Sequence, residues 1–210
     1  MRVGPEIAIY AVWYFWLASW IAASAWANRT MKTPTVLREL PYRLITFIGF
    51  ALLLVTPFRW TGGHLATANL HGWIGYRLWI VTLPALGWAL VGTAIIGVAF
   101  AWWARLHLGR LWSARITRKV GHRVVDSGPY GIVRHPIYTG LLLAAIATTA
   151  ETGLARTAFG AVLLILGYWM KARVEERFLR VELGEEAYDS YAKRVPMLVP
   201  FAAPRTLRKA

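Results

Sequence analysis

The sequence has 210 residues, of which 57% are hydrophobic and only 16% are charged, and its mean hydropathy is +0.44. Soluble domains are nearer to half apolar and a quarter charged, so this composition excludes both an ordinary soluble domain and a disordered chain. Lys and Arg outnumber Asp and Glu by 24 to 10, which gives a net charge of +14, and there is no Cys. A disulfide, a thiolate metal site and a cysteine nucleophile are therefore excluded.

Long apolar runs predict five transmembrane helices, because about 20 apolar residues are needed to cross the hydrocarbon of a bilayer. The first three runs are 7–27, 44–58 (extending through Tyr42 and Trp60) and 79–103. The last two, 137–150 and 158–170, are shorter and are separated only by 151–156. We expect them to form a helical hairpin with a tight turn at 151–153. A cleaved signal peptide is disfavoured because the first run is longer than the apolar region of such a peptide.

Basic residues are distributed unequally between the two ends of these predicted helices. The segments 28–43, 104–136 and 171–210 contain four, seven and nine Lys or Arg, whereas the opposite face has only Arg2, Arg59, Arg77 and Arg156. The positive-inside rule then predicts an outside N-terminus, with the C-terminus and the richer face in the cytoplasm. Anionic headgroups are favourable neighbours for this charge, so it does not require a nucleic-acid partner, and no nucleic-acid-binding motif is present.

The chain divides into two parts by the content of its motifs. Residues 1–103 hold the three N-terminal spans and no motif that names a chemistry, while 104–210 hold a cytoplasmic loop, the hairpin and a polar tail. The outer-loop residues His64 and His71 have no helix-register partner or nearby carboxylate that would indicate a metal site. We therefore expect no metal, and we expect the chemistry in the second part.

The segment 121–138, GHRVVDSGPYGIVRHPIY, lies directly before the fourth span. Pro136 suits the first turn of a helix, because it has no amide hydrogen to leave unbonded there. Arg134, His135 and Tyr138 would then meet backbone donors at a helix N-terminus, which is a favourable place for an anionic group such as a carboxylate. The alternative is that Arg134 and His135 only anchor the span in the headgroup layer.

The fifth span continues into 171–184, KARVEERFLRVELG, whose apolar residues follow the helical period of an interfacial helix. Gly184 ends this helix, and a second short helix is predicted over 185–193. Within the first, Lys171–Glu175 and Glu176–Arg180 are spaced as stabilising pairs. Six of the ten acidic residues lie between 175 and 189, which favours a cationic ligand. A zwitterion with an added positive charge, such as S-adenosylmethionine, would suit such a pocket. The charge pattern alone does not favour it over other polar cofactors.

Several blocks of the second half resemble the isoprenylcysteine carboxyl methyltransferase family and are similar to the related membrane phospholipid methyltransferases. These blocks are GPYGIVRHPIYTG, a pair of spans, a VEE helix and LGEEAYDSYAKRVPMLVPF, over about 115–201. The resemblance implies an all-α integral membrane enzyme that transfers a methyl group from S-adenosylmethionine to a lipidic or prenylated acceptor. The cofactor contacts, with Arg134 added from its position, are expected at His122, Arg123, Val124, Val125, Tyr130, Arg134, His135, Pro136, Ile137, Tyr138 and Glu175.

Three cations are candidates for orienting the substrate. The resemblance places the family's substrate-carboxylate arginine at Lys171, and a lysine is a point charge without the planar fork of a guanidinium. Arg173, half a turn along, and Arg194 of the C-terminal RVP are the other candidates.

Other functions remain open at this point. The first alternative is a methyltransferase acting on a phospholipid amine or on another small apolar acceptor. The second is a non-catalytic scaffold or a small transporter. Transport is disfavoured because the predicted spans have almost no ionisable residue near the bilayer midplane. The identity of the acceptor and the oligomeric state are not predicted.

Overall fold

The computed structural model describes residues 4–24, 36–55, 58–61, 64–67, 75–109 and 125–202. Six α-helices cover most of them: α1 (Pro5–Ser24), α2 (Val36–Leu54), α3 (Pro84–Leu108), α4 (Pro136–Thr152), α5 (Ala155–Leu183) and α6 (Glu185–Arg194). Two short antiparallel strands, β1 (Phe58–Thr61) and β2 (His64–Thr67), follow α2. A short 3-10 helix, Gly128–Gly131, precedes α4.

Proline and glycine set several of the helix boundaries. Helices α1, α3 and α4 begin at a proline, as predicted for Pro136, because the ring fixes a helical φ and its missing amide hydrogen is not needed there. Helix α4 ends at Gly153 with φ +61°, and α5 ends at Gly184 with φ +97°. Both glycines adopt a backbone conformation that other residues rarely reach. The continuous helix through 171–183 and the short helix after Gly184 are therefore confirmed.

Among the described helices, α1, α3 and α5 are long and apolar enough to cross a membrane. Many of their large apolar side chains face outward, among them Phe15, Ile96 and Phe159. Such surfaces are costly in water and favourable in lipid, which is the arrangement of an integral membrane protein. Helices α2 and α4 do not meet the same measure, so the count of five spans remains a prediction.

Two sequence predictions about helix boundaries are wrong. Helix α2 begins at Val36 and ends at Leu54, whereas the prediction ran from 44 to 58 and extended to Trp60, which lies in β1. Hydropathy missed the first turns of α2 because they are polar, and Pro57 disfavours further helix. Similarly, the third helix begins at Pro84 rather than at Trp79. Apart from the short strand pair β1–β2, the described fold is built from helices, as the all-α prediction expects.

Small residues join the four central helices in two close pairs. In the first pair, Gly97 of α3 lies against Gly140 of α4, so a Cβ on Gly97 would come within 2.5 Å of the Gly140 carbonyl oxygen. In the second, Gly160 of α5 lies against Gly49 of α2, and Gly167 lies against Thr46. Glycine permits this approach because it has no side chain between the two backbones. The site described below lies where the two pairs meet.

We expect Gly140→Ala to destabilise the protein, because its Cβ would overlap the carbonyl oxygen of Gly97. Overpacking of this kind costs about 1–3 kcal/mol, and here the obstacle is backbone that cannot rotate away. Thermal unfolding in detergent should show a lower midpoint for this variant. Gly92→Ala is the matched control, since nothing lies within 4 Å of the added Cβ. An equal midpoint for the two variants would contradict the close α3–α4 contact.

The end of the bundle opposite the site contains buried polar groups at the α4–α5 connection. The tight turn predicted at 151–153 is displaced, because Glu151 and Thr152 belong to α4 and the connection is Gly153 and Leu154. Arg156 is buried rather than exposed in a loop, and it donates hydrogen bonds to the Leu52 carbonyl at 2.7 Å and to the Tyr10 hydroxyl at 3.1 Å. These bonds fix α5 to the ends of α1 and α2.

Candidate functional site

The GPYG segment forms the wall of the site nearest to α3. Gly128 has φ +57°, and a Cβ there would meet the ring of His107, whose Nε2 lies 2.9 Å from the Ser127 hydroxyl. Tyr130 is buried, and the Tyr191 hydroxyl of α6 donates a hydrogen bond of 2.8 Å to its carbonyl. Burial raises the pKa of the Tyr130 phenol well above its ordinary value, so this group stays neutral.

Arg134 and Glu176 form a buried ion pair at the centre of the second half. The Arg134 Nε donates to Glu176 Oε1 at 2.7 Å, and both side chains are almost fully buried. The Arg134 Nη1 donates to the carbonyls of Ala192 and Val195, at 3.0 and 2.6 Å. These bonds hold the segment after α6 against the start of α4. Arg134 therefore binds other parts of the protein, and its contact with a cofactor stays a prediction.

His135 lies between the two glutamates of the VEE sequence. Its Nε2 is 3.2 Å from Glu176 Oε1, and its Nδ1 is 3.8 Å from Glu175 Oε2. Its backbone amide donates to the Met197 carbonyl at 3.1 Å, and the Thr139 hydroxyl donates to the Leu198 carbonyl at 2.6 Å. The C-terminal segment thus runs along the first turn of α4 and encloses one side of the site.

Tyr138 connects a carboxylate to a cation. Its hydroxyl donates to Glu175 Oε2 at 2.7 Å, and the Lys171 Nζ lies 5.1 Å from the centre of its ring. The rings of His135 and Tyr168 stack on Tyr138, with centroid distances of 5.3 and 4.7 Å. A cation at this distance from an aromatic ring is stabilised by the negative face of the π-system. Opposite charges are thereby held on one rigid aromatic stack.

Helical spacing explains which residues of α5 reach this stack. Tyr168, Lys171 and Glu175 recur at intervals of three and four, which places them on one helical face. Glu175 keeps 28% of its side chain exposed, whereas Glu176 is almost fully buried. Glu175 is therefore the carboxylate of the pair that a ligand can reach from outside.

The structure brings together some of the predicted site residues and separates others. Tyr130, His135, Tyr138, Glu175 and Lys171 belong to the connected cluster; Pro136 is buried in the first turn of α4, and Ile137 and Val125 are half-buried. His122, Arg123 and Val124 lie outside the described residues.

Two of the three predicted substrate-orienting cations make contacts away from Tyr138. Arg173 is exposed, and its guanidinium lies 5.8 Å from the ring centre of Trp169 on the outward face of α5. Arg194 is also exposed and pairs with Asp126 at 3.1 Å. Lys171 is the candidate that the structure places on Tyr138.

Sequence reasoning missed two features of the site. It paired Glu176 with Arg180, but Glu176 pairs with Arg134, and Arg180 pairs with Asp189 and Glu185 at 2.8 and 3.3 Å. It also found no role for α2, where Glu39 is fully buried and pairs with Arg43. The spacing of Glu39 and Arg43, four residues apart as in a helical ion pair, was the available sequence signal. Metal binding has no support in the described part of the chain, which contains no cluster of three ligating side chains.

The sequence matches known proteins over the same region. Residues 90–180 match the model of the isoprenylcysteine carboxyl methyltransferase (ICMT) family. Over these residues the chain is similar to the isoprenylcysteine carboxyl methyltransferase family. The predicted resemblance is thereby confirmed, and the matched residues include α4 and the Lys171–Glu176 face of α5.

Three curated relatives illustrate the range of proteins that this chain resembles. It is 37% identical to the cobalt-zinc-cadmium resistance protein CzcN of Cupriavidus metallidurans, over 53% of this chain and 49% of that protein. It is 32% identical to protein-S-isoprenylcysteine O-methyltransferase B of Arabidopsis thaliana, over 62% and 61%. It is 32% identical to methanethiol S-methyltransferase of a Pseudomonas species, over 80% and 61%. The chain thus spans between about half and three fifths of these relatives.

Proposed function

We propose that this protein is a membrane methyltransferase that uses S-adenosylmethionine and methylates the anionic head of an apolar acceptor. The observation that carries the proposal is the pair of opposite charges on Tyr138, with Lys171 over its ring and Glu175 on its hydroxyl. The match of residues 90–180 to the ICMT family supports the reaction type, and the apolar helices support a membrane location. The acceptor class rests on Lys171.

The described residues fit S-adenosylmethionine as methyl donor. Glu175 offers a partly exposed carboxylate for a cationic group, and Glu176 Oε2 is buried without a hydrogen-bond partner. Tyr130, His135 and Tyr138 offer aromatic surface beside these carboxylates. His122 to Val125 and Pro136 to Tyr138 remain the proposed continuation of the binding surface, together with Arg134. When bound, the cofactor supplies an electrophilic methyl group on its sulfonium.

The protein's own residues then have to position an anionic nucleophile and exclude water. A carboxylate is already ionised at neutral pH, so it needs no general base. The Lys171 ammonium orients this anion, while Glu175 repels it and keeps it from the cofactor's subsite. The segment after α6, fixed by Arg134 and Thr139, covers the side of the site away from α5. Arg173 and Arg194 are weaker proposals for the same orienting role.

The site is proposed to face the cytoplasm, with five membrane-spanning helices and an outside N-terminus. Its residues lie at the end where α2 begins, α3 ends and α4 begins. The segments 28–43, 104–136 and 171–210, whose described residues adjoin this end, contain most of the Lys and Arg of the chain. Anionic lipid headgroups are expected partners for this end. An apolar acceptor can enter from the bilayer between helices, since its chain need not leave the lipid.

A thiol is the second candidate acceptor, because the Pseudomonas relative is named a methanethiol S-methyltransferase. A thiolate is an anion, so Lys171 can orient it and can also lower the pKa of the thiol. The phospholipid-amine alternative fits less well, since an amine headgroup is cationic and Lys171 would repel it. N-methylation would instead require Glu175 to accept a proton from the amine.

Glu175→Gln is expected to weaken binding of S-adenosylmethionine by roughly tenfold, because it removes one charge-assisted contact. Calorimetric titration of the detergent-solubilised protein measures this, and Glu186→Gln, an exposed change on α6, is the control. Equal affinity in Glu175→Gln and the parent would refute the assignment of Glu175. Absence of binding to the folded parent protein would refute the proposed function itself.

A further inference from the structure

The packing of α2 on α5 places the first turns of α2 beside the acceptor site. Gly160 lies against Gly49 and Leu53, and Gly167 lies against Thr46, so the two helices run antiparallel in a fixed register. Continuing this register by one turn places Tyr42 level with Lys171. A further turn places Glu39 level with Glu175. The polar beginning of α2 therefore stands opposite the charged part of α5.

The charges of these residues act on one another. Lys171 lies within electrostatic reach of Glu175, Arg43 and Glu39, and Tyr42 lies within reach of the same three groups. Within α2, the Arg43 Nη2 is 2.7 Å from Glu39 Oε2. Four of the charged groups of α2 and α5 thus act on one another and have no net charge together; they are called the neutral quartet and are Glu39, Arg43, Lys171 and Glu175.

Glu39 and Arg43 differ in how much of each side chain is exposed. The Glu39 side chain has no exposed surface, whereas 44% of the Arg43 side chain is exposed. A fully buried carboxylate requires a partner cation, and this requirement holds the Arg43 guanidinium in one place. The exposed part of the guanidinium can then meet a ligand at the mouth of the quartet.

We propose that Arg43, fixed by Glu39, is a second anion-binding cation of the acceptor site, beside Lys171. A single ammonium is a point charge, while a guanidinium can bind both oxygens of a carboxylate in its plane. Arg43 thus restores the planar recognition that Lys171 cannot provide. This inference rests on the proposed function, because it assigns the acceptor's anionic head to the same site.

The test compares an acidic ligand with its neutral ester. N-acetyl-S-farnesylcysteine and its methyl ester are titrated calorimetrically into the full-length protein in detergent. We expect the parent to prefer the acid, and Arg43→Gln to lose about tenfold in affinity for the acid with little change for the ester. Arg177→Gln, an exposed change on α5, should retain the parent's preference. Glu39→Gln should lower the preference for the acid over the ester, because Arg43 is then no longer held in place. In a protein that already contains Arg43→Gln, adding Glu39→Gln should change this preference little.

Each outcome decides the inference. An acid preference that is unchanged in Arg43→Gln would overturn it, and so would a parent that binds acid and ester equally. If Arg43→Gln fails to fold, Arg43→Lys is tested instead, since it keeps the positive charge and loses the planar guanidinium. The ratio of the affinity for the acid to the affinity for the ester should then fall about threefold. The parent protein could prefer the acid through Arg43 and yet transfer no methyl group to it. That result would overturn the proposed function and support the assignment of Arg43.

Discussion

Lys171→Gln is expected to lower kcat/KM for an anionic acceptor by roughly 100-fold, because a misplaced nucleophile loses a factor of this order. The Lys171 ammonium lies over the Tyr138 ring at 5.1 Å, so it is already held where the acceptor is proposed to bind. The dissociation constant of S-adenosylmethionine should change little, since Glu175 is the group assigned to the cofactor. Steady-state kinetics with titrated acceptor and cofactor separate the two effects.

The other cations of α5 distinguish this role from a general effect of charge. Arg177→Gln removes an equal charge from an exposed position and should leave kcat/KM within about twofold of the parent. Arg173 stands on the Trp169 face, away from Tyr138. A large decrease of kcat/KM in Arg173→Gln, together with an unchanged kcat/KM in Lys171→Gln, would show that the orienting cation has been assigned to the wrong residue.

Glu176→Ala is expected to destabilise the protein by about 3–5 kcal/mol, because it leaves a buried guanidinium without its counter-ion. Arg134 would keep its bonds to the carbonyls of Ala192 and Val195, but those groups carry no negative charge. Because water can solvate the guanidinium only if the site opens, the segment after α6 should nevertheless detach from α4 before the bundle unfolds. A lower thermal midpoint and faster proteolysis near 195–200 are the expected measurements.

A double-mutant cycle isolates the ion pair. Combining Arg134→Met with Glu176→Leu removes both charges. The double variant should recover part of the stability that is lost when Glu176 alone is replaced, since an apolar pair avoids the cost of burying charge. Recovery should be incomplete, because the carbonyls held by Arg134 lose their donor. Glu186→Ala, which removes an exposed carboxylate, should have little effect. Additive losses in the double variant would contradict the coupling of Arg134 and Glu176.

Local sequence patterns predicted the second half of the fold well. Pro136 begins α4 and Gly184 ends α5, because the constraints of proline and glycine act within one or two residues. Helix boundaries, which depend on neighbours along the chain, were therefore predictable. The grouping of His135 and Tyr138 with Glu175, which lies 37 residues after Tyr138, was expected from the family resemblance and not from local pattern.

Contacts between distant segments could not be predicted in the same way. The i,i+4 rule assigned Glu176 to Arg180, but the buried partner is Arg134, 42 residues away along the chain. Hydropathy placed the start of the second helix after its polar turns, and so it removed Glu39 and Arg43 from consideration. Tertiary packing, which one sequence does not reveal, decides both cases.

Methyl transfer by the purified protein tests the central claim most directly. The protein in detergent is given S-adenosylmethionine with a radiolabelled methyl group and, separately, N-acetyl-S-farnesylcysteine, a long-chain alkanethiol or phosphatidylethanolamine. We predict label in the acid or the thiol, strongly reduced label with Lys171→Gln, and none in the phospholipid amine. Label confined to phosphatidylethanolamine, or no label in any acceptor from folded protein that binds the cofactor, would contradict the account.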